Sequence, residues 1–551
     1  MTDVLDLARA WAASDPDPQT REELLGLIHA AESGDGPAAT EVADAFAGTL
    51  QFGTAGLRGR LGPGPNRMNI VVVARAAAGL AAYLNESGGG AVVIGYDARR
   101  NSEAFARATA QIMTGAGLAA YVLPHPLPTP VLAFAIRRLG CAAGVMVTAS
   151  HNPPEDNGYK VYLADGSQIV PPDDARISAH IDAVADLGPV AGLPHGDEWT
   201  MLGDDVVDDY VARATSLLEP GPPSDLLVGY TAMHGVGGEV FLRVMREAGF
   251  RHPVVVTEQF APDPDFPTVA FPNPEEPGAM DLAFATARAS GVDIVIAHDP
   301  DADRCAVGVP TPAGWRMLSG DEVGTLLGWW IASGNRRVAR HGVFAQSIVS
   351  GSLLQSIADD FHIGYAQTLT GFKWIARVPD LMFGYEEALG YCVDPNGVRD
   401  KDGITAALMV VEMASRLQQK GRTLLDVLDD LAFLHGVHAT AQVSVRVTHL
   451  DRIGEVMHAL RTDPPREVAG RAVTGFADLN QGADGLPPTD GLRFTLDSGA
   501  RIIVRPSGTE PKVKCYLQSV MPVHDHDLAG ARVSADAELA LLKAAVADWL
   551  S

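Results

Sequence analysis

Ser150 is a candidate nucleophile because of the residues around it. It follows the apolar run Gly144–Thr148, so we expect it at the carboxyl end of a strand, the edge at which α/β sheets bind ligands. His151 and Lys160 could move a proton or hold a phosphate group, and the Asn-Pro-Pro sequence between them predicts a stiff loop. The absence of GxSxG spacing excludes a hydrolase nucleophile elbow. Taken alone, the segment is better interpreted as an ordinary turn.

Three carboxylates follow another predicted strand at alternate positions: Asp299, Asp301 and Asp303. In an extended segment they point to one side, where like charges are unfavourable unless a cation lies among them. Hard oxygen ligands suit Mg²⁺ or Ca²⁺. An EF-hand is excluded because Arg304 and Pro310 stand where that loop needs Gly and Glu. The pattern favours a metal site over a solvated acidic loop.

The segment 505–514, RPSGTEPKVK, joins two predicted strands and is rich in groups that bind anions. Guanidinium, turn amides and lysines together could form a phosphate cradle. Its candidate ligands are Arg505, Ser507, Gly508, Thr509, Lys512 and Lys514. From this segment alone, a hairpin with surface bases is an equally good interpretation.

Adjacent acids, Glu386 and Glu387, lie in the glycine-bounded segment 384–391 and could accept hydrogen bonds from sugar hydroxyls. A plain loop is the better interpretation of this segment alone. The segments 368–373 and 400–403 are weaker still. The combination is more informative, because each major region of the chain contributes one such loop.

The elements that must position these loops are predicted from the order of apolar runs. Strand and helix patterns alternate in three successive regions from residue 91, which predicts three related α/β domains with mixed sheets. A strand-rich end predicts a smaller α+β domain. The expected four domains, around a central cleft, span 1–200 with a helical extension over 1–50, 201–312, 313–435 and 436–551. The candidate boundaries are the stretches 186–204, 309–314 and 433–438, and a hinge is expected near 432–440.

Composition narrows the function classes. Lys and Arg number 42 against 68 Asp and Glu, so the net charge of −26 disfavours nucleic acid and anionic membrane. An anionic substrate then requires a local basic pocket. The four cysteines form no CxxC pair, no apolar run reaches membrane-spanning length, and the first residues are acidic rather than basic. These features predict a soluble cytoplasmic protein with free thiols. The expected oligomeric state is a monomer or a dimer.

The motifs TASHNP at 148–153, DPDADR at 299–304 and RPSGTEPK at 505–512 resemble the α-D-phosphohexomutase superfamily, which includes phosphoglucomutases and phosphomannomutases. The resemblance runs in order from about residue 50 to 520. The segments 52–59, 231–237 and 370–374 are similar to the subgroup of phosphoglucomutase 2, phosphopentomutase and bacterial phosphosugar mutases. The resemblance implies a magnesium-dependent isomerase of carbohydrate metabolism that transfers a phosphoryl group within its substrate.

The resemblance also implies roles for individual residues. Ser150 would be a phosphoserine, and one of its oxygens would bind a single Mg²⁺ together with Asp299, Asp301 and Asp303. The phosphoryl chemistry would be assisted by His151, Lys160, Arg58 and Arg304. The sugar would contact Thr370, Lys373, Glu386 and Glu387. The non-transferring phosphate would be held by Lys401, Arg505, Ser507, Gly508, Thr509, Lys512 and Lys514.

Charge supports the implied metal. A phosphoserine carries about −1.5 to −2, so with three carboxylates the site would hold close to −5. One Mg²⁺ would bring it to about −3, and Arg304 and Lys160 would offset most of the rest. In the expected cycle, Ser150 gives its phosphoryl group to a sugar monophosphate, and the resulting sugar bisphosphate, which also serves as activator, returns the other phosphate.

The preferred sugar is less well defined. Many family members have Ser two positions after the first Glu of the sugar loop, whereas this chain has Ala388. Interconversion of glucose 1-phosphate and 6-phosphate is favoured, mannose phosphates are possible, and Ala388 leaves ribose phosphate open. The other interpretations are a sugar-bisphosphate synthase, a phosphatase and a non-catalytic protein that binds sugar phosphates.

Overall fold

The computed structural model describes residues 2–221, 224–334, 342–446, 451–506 and 512–550. The chain divides into two compact units. The first comprises Met1–Met317 and Gly390–Glu412, and the second comprises Leu318–Leu389 and Met413–Ser551. The third predicted domain, 313–435, therefore gives its segment 390–412 to the first unit.

The helices are α1 (Thr2–Ser14), α2 (Pro18–Glu32), α3 (Gly36–Ala45), α4 (Ile70–Glu86), α5 (Ser102–Gly115), α6 (Thr129–Arg138), α7 (Asp173–Asp186), α8 (Asp205–Thr215), α9 (Gly237–Glu247), α10 (Thr257–Phe260), α11 (Asp281–Ser290), α12 (Gly320–Ser333), α13 (Leu353–Asp360), α14 (Phe372–Ile375), α15 (Gly403–Gln418), α16 (Leu424–His435), α17 (Asp451–Thr462) and α18 (Leu528–Leu550). The strands are β1 (Leu57–Arg60), β2 (Ala91–Tyr96), β3 (Ala119–Val122), β4 (Ala143–Val147), β5 (Asp156–Leu163), β6 (Thr200–Met201), β7 (Val228–Thr231), β8 (Val254–Val255), β9 (Ile294–Ala297), β10 (Ala306–Thr311), β11 (Gly314–Met317), β12 (Val343–Ser347), β13 (Gly364–Thr368), β14 (Leu381–Glu386), β15 (Gly390–Cys392), β16 (Val437–Arg446), β17 (Glu467–Val468), β18 (Arg471–Asp478), β19 (Leu492–Leu496), β20 (Arg501–Pro506) and β21 (Lys512–Met521).

The first sheet has the order β1-β5-β4-β2-β3-β6. Strands β4, β2, β3 and β6 are parallel, whereas β5 and β1 run antiparallel to their neighbours. Every residue of β4 is buried, as expected for a strand covered on both faces. The N-terminal helices α1–α3, expected over residues 1–50, precede this sheet and have their own apolar cluster.

Strand β5, which follows the predicted Asn-Pro-Pro loop, was not predicted from the sequence. Its Asn157-Gly158 pair resembles a turn, but Asn157 is buried and its amide donates to Arg100 O at 2.9 Å and to Ser102 Oγ at 3.0 Å. Gly158 is needed for a close approach of strands, because a Cβ there would lie 2.5 Å from Thr148 O. The extra strand places Lys160 in the sheet, directly beside β4.

The second sheet has the order β11-β10-β9-β7-β8. Strands β9, β7 and β8 are parallel, and β10 and β11 add an antiparallel hairpin. The stretch 309–314, a candidate boundary, forms the turn of this hairpin. The second sheet therefore reaches Met317, and the first sheet includes Met201, so both extend past the domain bounds at 312 and 200. The four bounds remain predictions.

The second unit contains parallel strands in the order β13-β12-β14 and an antiparallel sheet in the order β16-β21-β20-β19-β18-β17. These match the expected change from α/β to α+β, and the chain has the predicted four-domain architecture. Gly436, between α16 and β16, has φ 87° and lies within the expected hinge. Among the described residues, no helix has both the length and the apolar composition required to span a bilayer.

A prediction about stability follows from the packing of α4 on α7. A Cβ at Gly79 of α4 would lie 2.7 Å from the backbone nitrogen of Ile181. Relief of this clash would require a shift of the α7 backbone, which is energetically unfavourable. Gly79→Ala should lower the free energy of unfolding by about 1–3 kcal/mol. Gly26→Ala in α2, where nothing lies within 4 Å of the added carbon, is the matched control and should raise stability by up to about 1 kcal/mol. Urea unfolding followed by circular dichroism measures both; a Gly79 variant as stable as wild type would contradict the close contact.

Candidate active site

Ser150 lies just beyond the carboxyl end of β4, as predicted, and is only 3% exposed. Its Oγ donates to Asp299 Oδ2 at 2.9 Å and lies 3.2 Å from His151 Nδ1. Its backbone N–H donates to Thr148 Oγ1 at 2.9 Å. Its φ of 52° is in the left-handed region, which is unfavourable for a residue with a Cβ and is characteristic of functional turns. The structure therefore brings Ser150 into contact with the predicted metal triplet.

The three aspartates of that triplet follow β9 and are fully buried. One carboxylate oxygen from each of Asp299, Asp301 and Asp303 lies within 4.8 Å of the others. Lys160 Nζ contacts Asp301 Oδ2 at 2.7 Å and Asp303 Oδ2 at 3.0 Å. Lys401 Nζ contacts the same oxygen of Asp303 at 3.1 Å. Two lysines distant in sequence therefore balance the acidic cluster.

Two arginines complete the charged surroundings. Arg304 Nε lies 3.9 Å from Asp299 Oδ2 and 4.0 Å from Asp303 Oδ1. Arg58, on β1, donates to Asn152 Oδ1 at 3.2 Å in the serine loop. Burial lowers the pKa of Arg58, with Asp301 opposing the shift. Both arginines lie around the serine and the triplet, and their role in phosphoryl chemistry stays a prediction.

The carboxyl groups respond differently to their shared burial. Burial raises the pKa of Asp299 well above its usual range, and the charges of Asp301 and Asp303 add to the shift. Burial also opposes ionisation of Asp303, but Lys160 and Lys401 outweigh it and hold the pKa of Asp303 well below its usual range. The pKa of His151 is lowered by burial, then by Arg304 and Arg58.

The sequence analysis grouped Lys401 with Arg505 as a ligand of the non-transferring phosphate, and that role stays a prediction. In the structure Lys401 belongs to the first unit, beside the triplet. The loop that carries it is fixed by neighbouring carboxylates: Tyr162 OH donates to Asp400 Oδ2 at 2.8 Å, and Tyr210 OH donates to Asp402 Oδ1 at 2.9 Å. These buried bonds explain why the segment 390–412 joins the first unit.

The triplet fits a divalent cation. Oδ1 of Asp301 and Oδ1 of Asp303 are buried and, among the residues that the structure describes, have no hydrogen-bond donor. Their other oxygens are engaged by the two lysines, so each carboxylate keeps one oxygen available. With Ser150 Oγ close to Asp299, the donor set consists of hard oxygens, which Mg²⁺ prefers.

In the second unit, Glu386 ends β14 and Glu387 follows it. Ser350 Oγ donates to Glu387 Oε2 at 3.0 Å. Burial raises the pKa of Glu387 to about 8, with Glu386 and Asp321 adding to the shift. Burial thus disfavours the charged form of Glu387, and its carboxyl group is bonded within its own unit. The adjacent Tyr385 OH donates to Asp321 Oδ1 at 3.0 Å, which fixes the strand that presents the loop.

The other sugar and phosphate candidates also lie in the second unit. Thr370 precedes α14 and Lys373 lies on it, both partly exposed. On the final sheet, Arg505 of β20 lies directly opposite Lys514 of β21. Lys512 lies two positions away from Lys514 on β21, so the three side chains share one face of the sheet. A face with three cations is suited to an anion. Ser507, Gly508 and Thr509 of the predicted cradle lie outside the described residues.

Comparison with protein-family models matches four regions in order. The alpha/beta/alpha domains I, II and III of phosphoglucomutase/phosphomannomutase match residues 49–187, 208–313 and 319–432, and the C-terminal domain matches residues 444–532. The chain belongs to the phosphoglucomutase/phosphomannomutase family. The resemblance drawn from the three motifs is thereby confirmed.

Individual members of the family carry different names. A Haemophilus influenzae protein described as a probable phosphomannomutase is 50% identical over 457 residues, covering 82% of this chain and 93% of the relative. A Homo sapiens phosphopentomutase is 33% identical and covers 94% of this chain and 91% of the relative. A Thermus thermophilus crystal structure assigned as a phosphomannomutase has a TM-score of 0.68 at 26% identity, over 90% of this chain and 99% of that one. The phosphoglucomutase parafusin of Paramecium, at 18% identity, shares the fold with a TM-score of 0.69 over 92% of this chain and 95% of that one.

Two residues near the site were missed by the sequence analysis. Thr129, at the start of α6, donates through Oγ1 to Asp301 Oδ2 at 2.7 Å and through its N–H to Asp301 O at 2.9 Å. Arg99, after β2, donates to backbone carbonyls around Ser150. Neither residue belongs to a motif with a recognisable ligand pattern. Each contacts a partner that is distant in the sequence, Asp301 for Thr129 and Ser150 for Arg99.

Metal binding can be tested without an activity assay. Asp301→Asn removes one hard anionic ligand, so Mn²⁺, used as a probe, should bind at least about 10-fold more weakly than to wild type. Asp281→Asn, at an exposed position on α11, is the control and should bind as wild type does. Isothermal titration calorimetry measures both affinities. Equal affinity for the two variants would place the cation elsewhere.

Proposed function

We propose that this protein is a phosphosugar mutase in which Ser150 carries the transferred phosphoryl group. One observation carries the proposal: Ser150 Oγ, held in a strained turn, hydrogen-bonds to a fully buried triplet of aspartates in a chain of this family. A serine used only for structure would not need three buried carboxylates beside it. We favour glucose 1-phosphate and 6-phosphate as the interconverted pair, with mannose phosphates as further substrates.

The charges of the site support a phosphoserine with one Mg²⁺. The three aspartates are matched by Lys160, Lys401 and Arg304. A phosphoserine would add about −2, and a divalent cation would add +2, so the two fit together but neither fits alone. When bound, Mg²⁺ would be held by the three aspartates and a phosphoryl oxygen, and it would withdraw charge from the phosphoryl group.

The transfer can be written with the groups of this chain. A sugar hydroxyl forms the new P–O bond while the bond from phosphorus to Ser150 Oγ breaks. The hydroxyl proton must leave and Ser150 Oγ must gain one, and His151 Nδ1, 3.2 Å from that oxygen, is placed to carry it. The sugar bisphosphate then reverses the reaction with its other phosphate, and Lys160, Arg58 and Arg304 hold the phosphoryl oxygens.

The remaining contacts concern the sugar and its second phosphate. Glu386 is proposed to accept hydrogen bonds from sugar hydroxyls, with Thr370 and Lys373 nearby. Glu387 has its carboxyl engaged by Ser350, so we assign it to supporting the loop. The second phosphate is proposed to bind the cationic face of the final sheet, with the ligands Arg505, Ser507, Gly508, Thr509, Lys512 and Lys514. Sugar bisphosphate would serve as activator by phosphorylating Ser150.

Phosphopentomutase is the second candidate activity. Ala388 leaves the sugar loop without the hydroxyl found in many family members. Relatives named phosphopentomutase match 94% of this chain at 33% identity. A smaller sugar with fewer hydroxyls would not need the missing hydrogen bond. Ribose 1-phosphate is therefore the substrate to compare with the hexose phosphates.

The central role of Ser150 is tested by Ser150→Ala. Removal of the oxygen that carries the phosphoryl group should abolish turnover of glucose 1-phosphate, a loss of at least about 10⁴-fold. Ser290→Ala, an exposed serine at the end of α11, is the matched control. A coupled assay primed with glucose 1,6-bisphosphate measures both, and circular dichroism checks folding. Turnover by a folded Ser150→Ala variant would refute the phosphoserine mechanism.

The sugar preference is tested by Ala388→Ser. The added hydroxyl can donate one hydrogen bond to a hexose, so the ratio of kcat/KM for glucose 1-phosphate to that for ribose 1-phosphate should rise about 5- to 10-fold. Wild type and variant are compared on glucose, mannose and ribose 1-phosphates. An unchanged ratio would show that position 388 does not contribute to the choice of sugar.

A further inference from the structure

The loop after Ser150 has backbone carbonyls that its own amides cannot satisfy. Two successive residues, Pro153 and Pro154, have no N–H group. Among the described residues, the backbone bonds inside the loop are Asn152 N to Ala149 O and Asp156 N to Pro153 O, each at 3.1 Å. These bonds leave the carbonyls of Ser150 and Asn152 without a donor from the loop, and Ser150 is buried, so a donor from elsewhere is needed.

Arg99 supplies that donor. Its side chain is buried, and one terminal nitrogen donates to Ser150 O and Asn152 O, each at 2.6 Å. The other donates to Pro153 O at 2.7 Å and to Asp156 O at 3.2 Å. A guanidinium has five N–H donors in a rigid plane, and four of them serve this loop. No other side chain type could reach four carbonyls from one position.

The guanidinium is itself fixed from two sides. Its Nε lies 3.4 Å from Asp97 Oδ2, and the other oxygen of Asp97 accepts from Ser102 Oγ at 2.7 Å. Its Cζ lies 4.9 Å from the centre of the Phe266 ring. Phe266 is buried in the segment between α10 and α11, close in sequence to the second sheet. Arg99 therefore links the serine loop to the segment between α10 and α11.

We propose that Arg99 is a positioning residue for phosphoryl transfer, an inference that rests on the proposed role of Ser150. Its bond to Ser150 O holds that residue in the left-handed conformation at φ 52°, which an isolated chain would disfavour by about 1–2 kcal/mol. This conformation directs Oγ to Asp299. Contact with the Phe266 ring keeps the guanidinium group oriented toward the four carbonyls.

The main test is Arg99→Lys, which keeps the positive charge but loses the planar guanidinium group and its five N–H donors. We expect kcat to fall about 100-fold because the phosphoryl group is misplaced, while KM stays near the wild-type value because no substrate contact is removed. Arg107→Lys is the matched control, since Arg107 is exposed and contacts Glu103 and the Trp199 ring rather than the serine loop. Steady-state kinetics with glucose 1-phosphate are compared below the unfolding temperature of each variant.

A rescue experiment separates positioning from general stability. Free guanidinium, at a millimolar and non-denaturing concentration, should restore part of kcat in Arg99→Ala, because it can occupy the vacated donor site. The same ion should have no effect on Arg107→Ala. A role limited to stability would leave kcat per folded molecule unchanged in both variants and would give no rescue, which would overturn the inference.

A second variant keeps the inference testable if the arginine variants do not fold. Phe266→Leu preserves an apolar side chain but removes the ring, and kcat should fall about threefold with unchanged KM. Unchanged kcat in that variant would contradict the proposal. Failure of the wild type on all three sugar 1-phosphates would instead refute the proposed function, so the two outcomes are distinguishable.

Discussion

Three carboxylates cannot remain charged in a buried cluster unless positive charge lies within a few ångströms of them. Asp299, Asp301 and Asp303 meet this requirement with side chains drawn from distant parts of the chain. The repulsion that remains is expressed in the raised pKa of Asp299, whereas Asp303, contacted by two lysines, has a lowered pKa. The same balance makes room for one further pair of opposite charges, a divalent cation and a phosphoryl group.

This requirement accounts for several features of the first unit. Strand β5 must extend the first sheet so that Lys160 reaches the triplet, and Gly158 must lack a side chain so that β5 can lie against β4. The segment 390–412 belongs to the first unit, where Lys401 reaches the same triplet. Thr129 fixes Asp301 from the start of a helix in the first domain. The fold of this unit is thus organised around charge as well as apolar burial.

The sequence was sufficient to predict the α/β alternation, the final strand-rich domain and the position of the serine and aspartate loops at the ends of strands. These signals are local: apolar runs bounded by turn residues, and reactive side chains at fixed spacing. Strand β5 was missed because Asn157-Gly158 has the composition of a turn, while in the fold the asparagine is a buried hydrogen-bonding residue. The contacts of Lys401 with Asp303 and of Arg99 with Ser150 could not be predicted, because these partners lie more than 50 residues apart in the sequence. Such contacts depend on topology, which spacing alone does not determine.

The late position of the segment 400–402 has a consequence for synthesis of the protein. The chain emerges from the ribosome N-terminus first, and domains tend to fold as they emerge. Tyr162, Tyr210 and Asp303 acquire Asp400, Asp402 and Lys401 as partners only after this segment has been translated. A nascent chain can therefore form its first sheets early, yet its reactive centre is completed only when most of the polypeptide exists. Assembly of the site is therefore a late step of translation, although every part of it is encoded in one chain.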